Sequence, residues 1–261
     1  MLQVDGISVR YGRNKRKAVD GANLSIEGGK VAIVGPNGCG KTTLIKAIVG
    51  LAPVESGSIL LFGRNIKNIT NELRVSTNLS DVYRLMRMST GDTIKLYSEI
   101  KGIDADLVMK MISDFELEET LDKMLYELST GQQKLVCNLL CIATGSKMIL
   151  LDEPFENIDQ MRRIKLTKLL VDYQSEILLN THEFDILGKL NGWSLYFMLE
   201  GKLFGKFEAN DVRNLFINRG ISPNNLSVME TSYGTFSITR GEGEVSISAA
   251  RNFNSLLNEV A

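Results

Sequence analysis

The sequence predicts an α/β fold with a mostly parallel sheet, and three observations carry that expectation. The β-branched run Val31-Ala32-Ile33-Val34 leads into a glycine-rich turn and then into a segment of helical spacing. Two more apolar runs, residues 148–151 and 177–180, are separated by a helical stretch over residues 158–173. Strands that alternate with helices need crossover connections, which make a parallel sheet covered on both faces. Helical periodicity also persists from about residue 79 to 145, as an insertion between strands.

Taken in order, the first 35 residues read as strands and predict an N-terminal antiparallel β subdomain. Residues 2–9 alternate loosely, and residues 22–26 follow a basic turn at residues 13–17, the solvated tip of a hairpin. Residues 41–49 form a helix that stops at Gly50. Residues 58–62 make another strand, closed by Gly63. Inside the insertion, residues 93–100, 105–115 and 131–143 carry apolar side chains three to four apart. Residues 193–199 and 203–207 flank Glu200-Gly201 as a hairpin. Residues 208–261 read as a small α+β appendage: a helix, then alternating segments near 235–239 and 245–248. The expected organisation is therefore a main domain over residues 1–207 and the appendage over 208–261.

Composition narrows the class. The chain has 261 residues, 44% apolar and 23% charged, with net charge −1, which is too apolar and too balanced for a disordered chain. Near-zero charge gives no argument for a nucleic-acid or membrane-surface partner, and no nucleic acid is expected. One histidine cannot build a multi-histidine metal site. Cys39, Cys137 and Cys141 form no CxxC pair, which favours a reducing compartment over a disulfide framework. The N-terminus mixes Gln3, Asp5 and Arg10 among apolar residues and is not expected to be a signal peptide. No apolar run approaches the roughly 20 residues that span a bilayer, so any membrane role needs another chain to do the spanning.

The chemistry enters at Gly35-Pro36-Asn37-Gly38-Cys39-Gly40-Lys41-Thr42, which fits G-x-x-x-x-G-K-[ST] between a strand and a helix. Glycines let successive backbone N–H groups curl around phosphate oxygens, and the helix that follows adds its positive N-terminal dipole. Lys41 is placed to reach the β- and γ-phosphates and the Thr42 hydroxyl to ligate Mg²⁺; Thr43 continues the phosphate-binding run. The core is thus expected to be a P-loop NTPase. Downstream, Met148-Ile149-Leu150-Leu151-Asp152-Glu153 is a hydrophobic strand that ends in two carboxylates, where parallel sheets bind ligands. Asp152 is expected in the Mg²⁺ shell, through water, and Glu153 to polarise the attacking water.

Leu128-Ser129-Thr130-Gly131-Gln132 opens a helix, with Ser129 23 residues before Asp152. It resembles the LSGGQ signature of ABC-type ATPases, with Thr130 in place of a glycine, and Ser129 also suits a helix N-cap. The resemblance runs over about residues 1–207 and implies further roles. Tyr11 resembles the aromatic that stacks on adenine. Glu156-Asn157-Ile158-Asp159 resembles the D-loop, which puts Asp159 near the nucleotide seam. His182, 29 residues after Glu153, resembles the switch histidine. The family's glutamine between the P-loop and the helical domain has no counterpart, since no glutamine occurs between Gln3 and Gln132. Asn78 is its positional substitute, expected to reach Mg²⁺ or water with an amide one methylene shorter.

The resemblance implies ATP and Mg²⁺ as ligands and a head-to-tail pair of subunits, two copies or two related chains. Each ATP would lie on one P-loop and against Ser129, Gly131 and Gln132 of the other chain. It further implies a polytopic membrane permease as partner, which would hold this chain at the cytoplasmic face of the membrane. In look the chain is similar to archaeal and bacterial ATPases of cobalt-import or energy-coupling transporters. Two other readings share the motifs: an ABC-type ATPase in a non-transport complex (translation or iron–sulfur assembly), and a low-turnover, nucleotide-dependent regulator.

Overall fold

A computed structural model describes residues 1–12, 15–83, 87–249 and 256. The basic run at 13–17 and the end of the appendage thus lie partly outside the described residues. In chain order the elements are β1 (Leu2–Val9), β2 (Val19–Ile26), β3 (Lys30–Val34), α1 (Lys41–Ile48), β4 (Val54–Leu61), β5 (Arg64–Asn65), β6 (Val75–Thr77) and α2 (Ser80–Tyr83). Then come α3 (Thr90–Lys101), α4 (Ala105–Asp114), α5 (Thr130–Ala143), β7 (Met148–Asp152), α6 (Gln160–Asp172) and β8 (Glu176–Thr181). The chain continues through β9 (Ser194–Leu199), β10 (Lys202–Glu208), β11 (Leu215–Arg219), β12 (Ser227–Thr231), β13 (Gly234–Arg240) and β14 (Val245–Ser246).

The chain divides into two compact units, residues 1–69 with 180–261 and residues 70–179. This division runs along other lines than the expected boundaries. Strands β6 and β7 cluster with the helical insertion, and the appendage clusters with the N-terminal strands.

In the first unit, β2, β1, β4 and β5 form an antiparallel sheet in that order. Its buried face is the period-2 set Leu2, Val4, Ile7 and Val9 on β1 and Ala22, Leu24 and Ile26 on β2. Strand β3 pairs in parallel with β9, and β9 continues into β10 through the two-residue turn Glu200-Gly201. Both turn residues take positive φ, 47° and 84°, as the hairpin geometry demands. The appendage is a four-stranded antiparallel sheet in the order β12, β13, β11, β14, closed over Leu215, Ile217, Met229, Phe236 and Ile238. The helix expected at its start is a 3₁₀ segment, Ala209–Asn214. Asn210 there accepts from the backbone N–H of Gly192, 18 residues earlier, which ties the segment to the turn before β9.

In the second unit, β6 and β7 run parallel, Val75 opposite Met148 and Thr77 opposite Leu150. Strand β6 escapes notice in the sequence because three residues carry too little alternation. Helix α5 is buried nearly all round, through Leu135, Val136, Cys137, Leu139, Leu140 and Cys141, so its periodicity is weak although its burial is deep. Each of α3 to α6 starts on a side-chain cap: Ser89, Asp104, Ser129 and Asp159. Such a cap contributes typically about 1 kcal/mol. Arg162 on α6 donates to the carbonyls of Phe115 and Glu116, both at 2.9 Å, and so ties α6 to the end of α4.

Trp193, 1% exposed, leads the largest fully buried side chains of the described residues, with the Lys30 ammonium 5.7 Å from its ring centroid. Trp193→Ala should lower unfolding stability by about 3–5 kcal/mol, the usual range for truncating a core aromatic. Denaturant titration followed by circular dichroism measures it, and a loss under about 1 kcal/mol would contradict this packing.

Candidate functional site

The first unit presents a helix start that no side chain caps. Helix α1 begins at Lys41 after Gly40, with no side-chain cap hydrogen bond and no acidic residue in its first turn. Helix starts leave backbone N–H groups without intrahelical partners, and such a start is a ready anion site. Gly40 has φ 114°, and a Cβ there would lie 2.1 Å from the carbonyl oxygen of Ala18. Glycine is therefore required twice over, for its dihedral and for the close approach. The loop is held at both ends: Gly35 N donates to Thr181 O at 3.2 Å, and Gly201 N donates to Cys39 O at 2.8 Å. Lys41 is 5% exposed and its Nζ donates to the carbonyls of Gly35 (2.7 Å) and Pro36 (3.1 Å). The ammonium is thereby folded over the loop that Pro36, Asn37 and Gly38 complete, with Thr42 and Thr43 following Lys41 in the first turn of α1. His182 follows Thr181, the residue bonded to Gly35, and is half-buried; Tyr11 stands exposed after β1.

In the second unit, β7 ends at Asp152, and Glu153 takes φ 44°, a left-handed conformation uncommon for a residue with a Cβ. Asn78 lies beside Asp152. Its side chain is 2% exposed and committed to protein: Nδ2 donates to Asn138 Oδ1 (2.7 Å) and Asp152 O (3.1 Å), and Oδ1 accepts from Asp152 N (2.7 Å). Both amide hydrogens are engaged, and Asn78 holds the Asp152 backbone.

Ser129, Gly131 and Gln132 come together at the start of α5, in a reciprocal capping box. Ser129 Oγ accepts from Gln132 N (3.3 Å), and Gln132 Oε1 accepts from Ser129 N (3.1 Å). A Cβ at position 131 would lie 2.2 Å from Asn157 O, whereas Thr130 is exposed. That contrast explains why one glycine of the resembled signature is kept and the other replaced. Asp159 caps α6, and the backbone N–H of Arg162 holds its carboxyl below the usual range. Burial pushes the thiol of Cys137 up to about 12 and that of Cys141 higher still, so both stay protonated, apolar groups of the core.

Two residues escaped the sequence reading, Lys134 and Asn138 on α5. Asn138 Nδ2 donates to Pro154 O (2.7 Å) and Lys134 Nζ to Asp152 O (3.0 Å). The signal for Asn138 was available: an amide inside the apolar run Val136-Cys137-Asn138-Leu139-Leu140 is a polar group at a core position. Among the described residues, no group of three or more His, Cys, Asp or Glu forms a metal cage.

A family model described as "ABC transporter" matches residues 19–156, more than half of the chain. The taurine import ATP-binding protein TauB of Escherichia coli (strain K12) is 30% identical over 194 residues, 71% of this chain and 74% of that protein. The human ATP-binding cassette sub-family A member 2 is 29% identical over 197 residues, and there the match spans 8% of the relative's length. A solved structure described as a cobalt transport ATP-binding protein, cbiO-2, superposes with TM-score 0.91 at 34% identity and covers 100% of both chains. With the loop, the capped signature helix and these likenesses together, the chain belongs to the ABC transporter family, as one of its ATP-binding components.

Proposed function

We propose that this chain hydrolyses ATP and so powers a membrane permease, as one half of a head-to-tail ATPase pair. The observation that carries the proposal is the α1 start, where an uncapped first turn and the folded-back Lys41 ammonium converge on one loop. The backbone N–H groups of residues 38–42 bind phosphate oxygens, and Lys41 neutralises the charge that develops on them. When bound, Mg²⁺ adds charge neutralisation; Thr42 and Asp152 are the residues that would hold it. Glu153 orients and polarises the attacking water, and His182 contacts the γ-phosphate. Tyr11 stacks on the adenine.

Ser129, Gly131 and Gln132 present a second helix start, which in the pair serves the partner's ATP. Hydrolysis removes that bridge and the seam opens, with Asp159 on the turn before α6 facing the partner. No helix among the described residues is long and apolar enough to cross a membrane. The permease therefore supplies the membrane path in this reading, and this chain works at its cytoplasmic face.

Glu153→Gln should lower steady-state turnover about 100-fold or more while Mg-ATP binding persists, the range expected for loss of a general base. An ATP-dependent dimer should then accumulate in size-exclusion chromatography, and unchanged phosphate release would assign the base elsewhere. His182→Ala should likewise cost about 10-fold or more in kcat with ATP affinity held within about 2-fold, as for a group that acts in the transition state. Phosphate release and equilibrium nucleotide binding read the two quantities separately.

A further inference from the structure

Glu153 sits in a conformation that its own backbone does not favour, φ 44°, and such a residue needs neighbours that hold it there. Its carbonyl accepts from Glu156 N at 3.2 Å, within the turn, and side chains bond the residues on either side of it. On the N-terminal side, Asp152 N donates to Asn78 Oδ1 at 2.7 Å, and Asp152 O accepts from Asn78 Nδ2 at 3.1 Å and from Lys134 Nζ at 3.0 Å. On the C-terminal side, Pro154 O accepts from Asn138 Nδ2 at 2.7 Å. The two amides are joined to each other, Asn78 Nδ2 to Asn138 Oδ1 at 2.7 Å. Lys134 and Asn138 are four apart on α5 and so share one face of that helix.

Asn138 is 0% exposed among Leu135, Val136, Leu139 and Leu140. A side-chain amide buried in such a setting is tolerated only when its bonds are made, and a satisfied network of this kind is rigid and particular in geometry. The clamp grips the backbone of the two residues that flank Glu153, Asp152 and Pro154, and it hangs from the helix whose first turn carries Ser129 and Gln132.

We propose that Asn138 is a positioning residue for Glu153. Together with Asn78 and Lys134 it aims the carboxylate at the attacking water and ties that aim to helix α5. The proposal rests on the reading of Glu153 as the group that polarises water. A movement of α5 is transmitted to the backbone on either side of Glu153, so the state of the signature helix sets how well the carboxylate is placed.

The test is a double-mutant cycle on the full chain. Asn138→Asp keeps the size of the side chain and can still accept from Asn78, but as a carboxylate it has no proton to donate to Pro154 O. In the otherwise unchanged protein it should lower kcat about 10-fold or more, with KM for ATP within about 2-fold, the pattern of an interaction that matters in the transition state. In a Glu153→Gln background, single-turnover phosphate release should fall by less than about 2-fold further, because the group being positioned is already gone. Lys134→Met, a partly exposed change, should follow the same pattern with a smaller loss, and it decides the matter by the same two measurements if Asn138→Asp fails to fold. Equal losses in both backgrounds would mean general damage and overturn the proposal. Wild-type kcat in Asn138→Asp beside an inactive Glu153→Gln would overturn it and leave the reading of Glu153 standing. Full turnover in Glu153→Gln would overturn that reading, and the proposal with it.

Discussion

A helix that begins without a side-chain cap is suited to receive an anion, and much of the first unit holds such a start in place. Helices α3 to α6 each start on a Ser or Asp side chain, while α1 starts on Gly40 with none. The loop before it is held on several sides. The carbonyl of Ala18 closes one side so tightly that no Cβ fits at position 40, and backbone bonds from Gly35 to Thr181 and from Gly201 to Cys39 pin the loop to neighbouring strands. Burial of the sheet residues around it supplies the stability, about 1.5–3 kcal/mol for each fully buried large aliphatic side chain. The uncapped turn is a local cost carried by that core.

The second unit solves a different problem, how to hold a carboxylate-bearing turn in a conformation the chain disfavours. It does so with amides. Asn78 and Asn138 come from segments 60 residues apart, meet in the core, and together grip Asp152 and Pro154. Two buried amides would be costly apart; bonded to each other and to backbone, they are satisfied.

Within the first unit, one acidic residue of the β9–β10 turn ties the appendage to the strands beside the glycine-rich loop. Glu200 accepts from the backbone N–H of Ser232 at 3.0 Å and from its hydroxyl, and pairs with Arg16 at 2.9 Å. Its neighbour Gly201 bonds the P-loop at Cys39 and accepts from Asp20. The sheet of residues 215–246 is thus anchored beside the Gly35–Thr42 loop, although no motif in that stretch of sequence points there.

The sequence by itself determined the elements whose signal is local. The phosphate loop is a run of contiguous residues, the strand before Asp152 is continuous and apolar, and the caps at Ser129 and Asp159 act within three residues of themselves. Each could therefore be read without a fold. Only the tertiary structure decided what Asn78 does, that Lys134 and Asn138 belong beside Glu153, and that Gly131 is kept for its contact with Asn157. Those assignments depend on which distant backbone group a side chain meets, and a hydrogen bond between residues 60 or 74 positions apart leaves no trace in periodicity or spacing. The same limit explains the unseen strand β6 and the expected helix that became a 3₁₀ turn: short segments take their conformation from the neighbours they pair with, and propensity yields to that context.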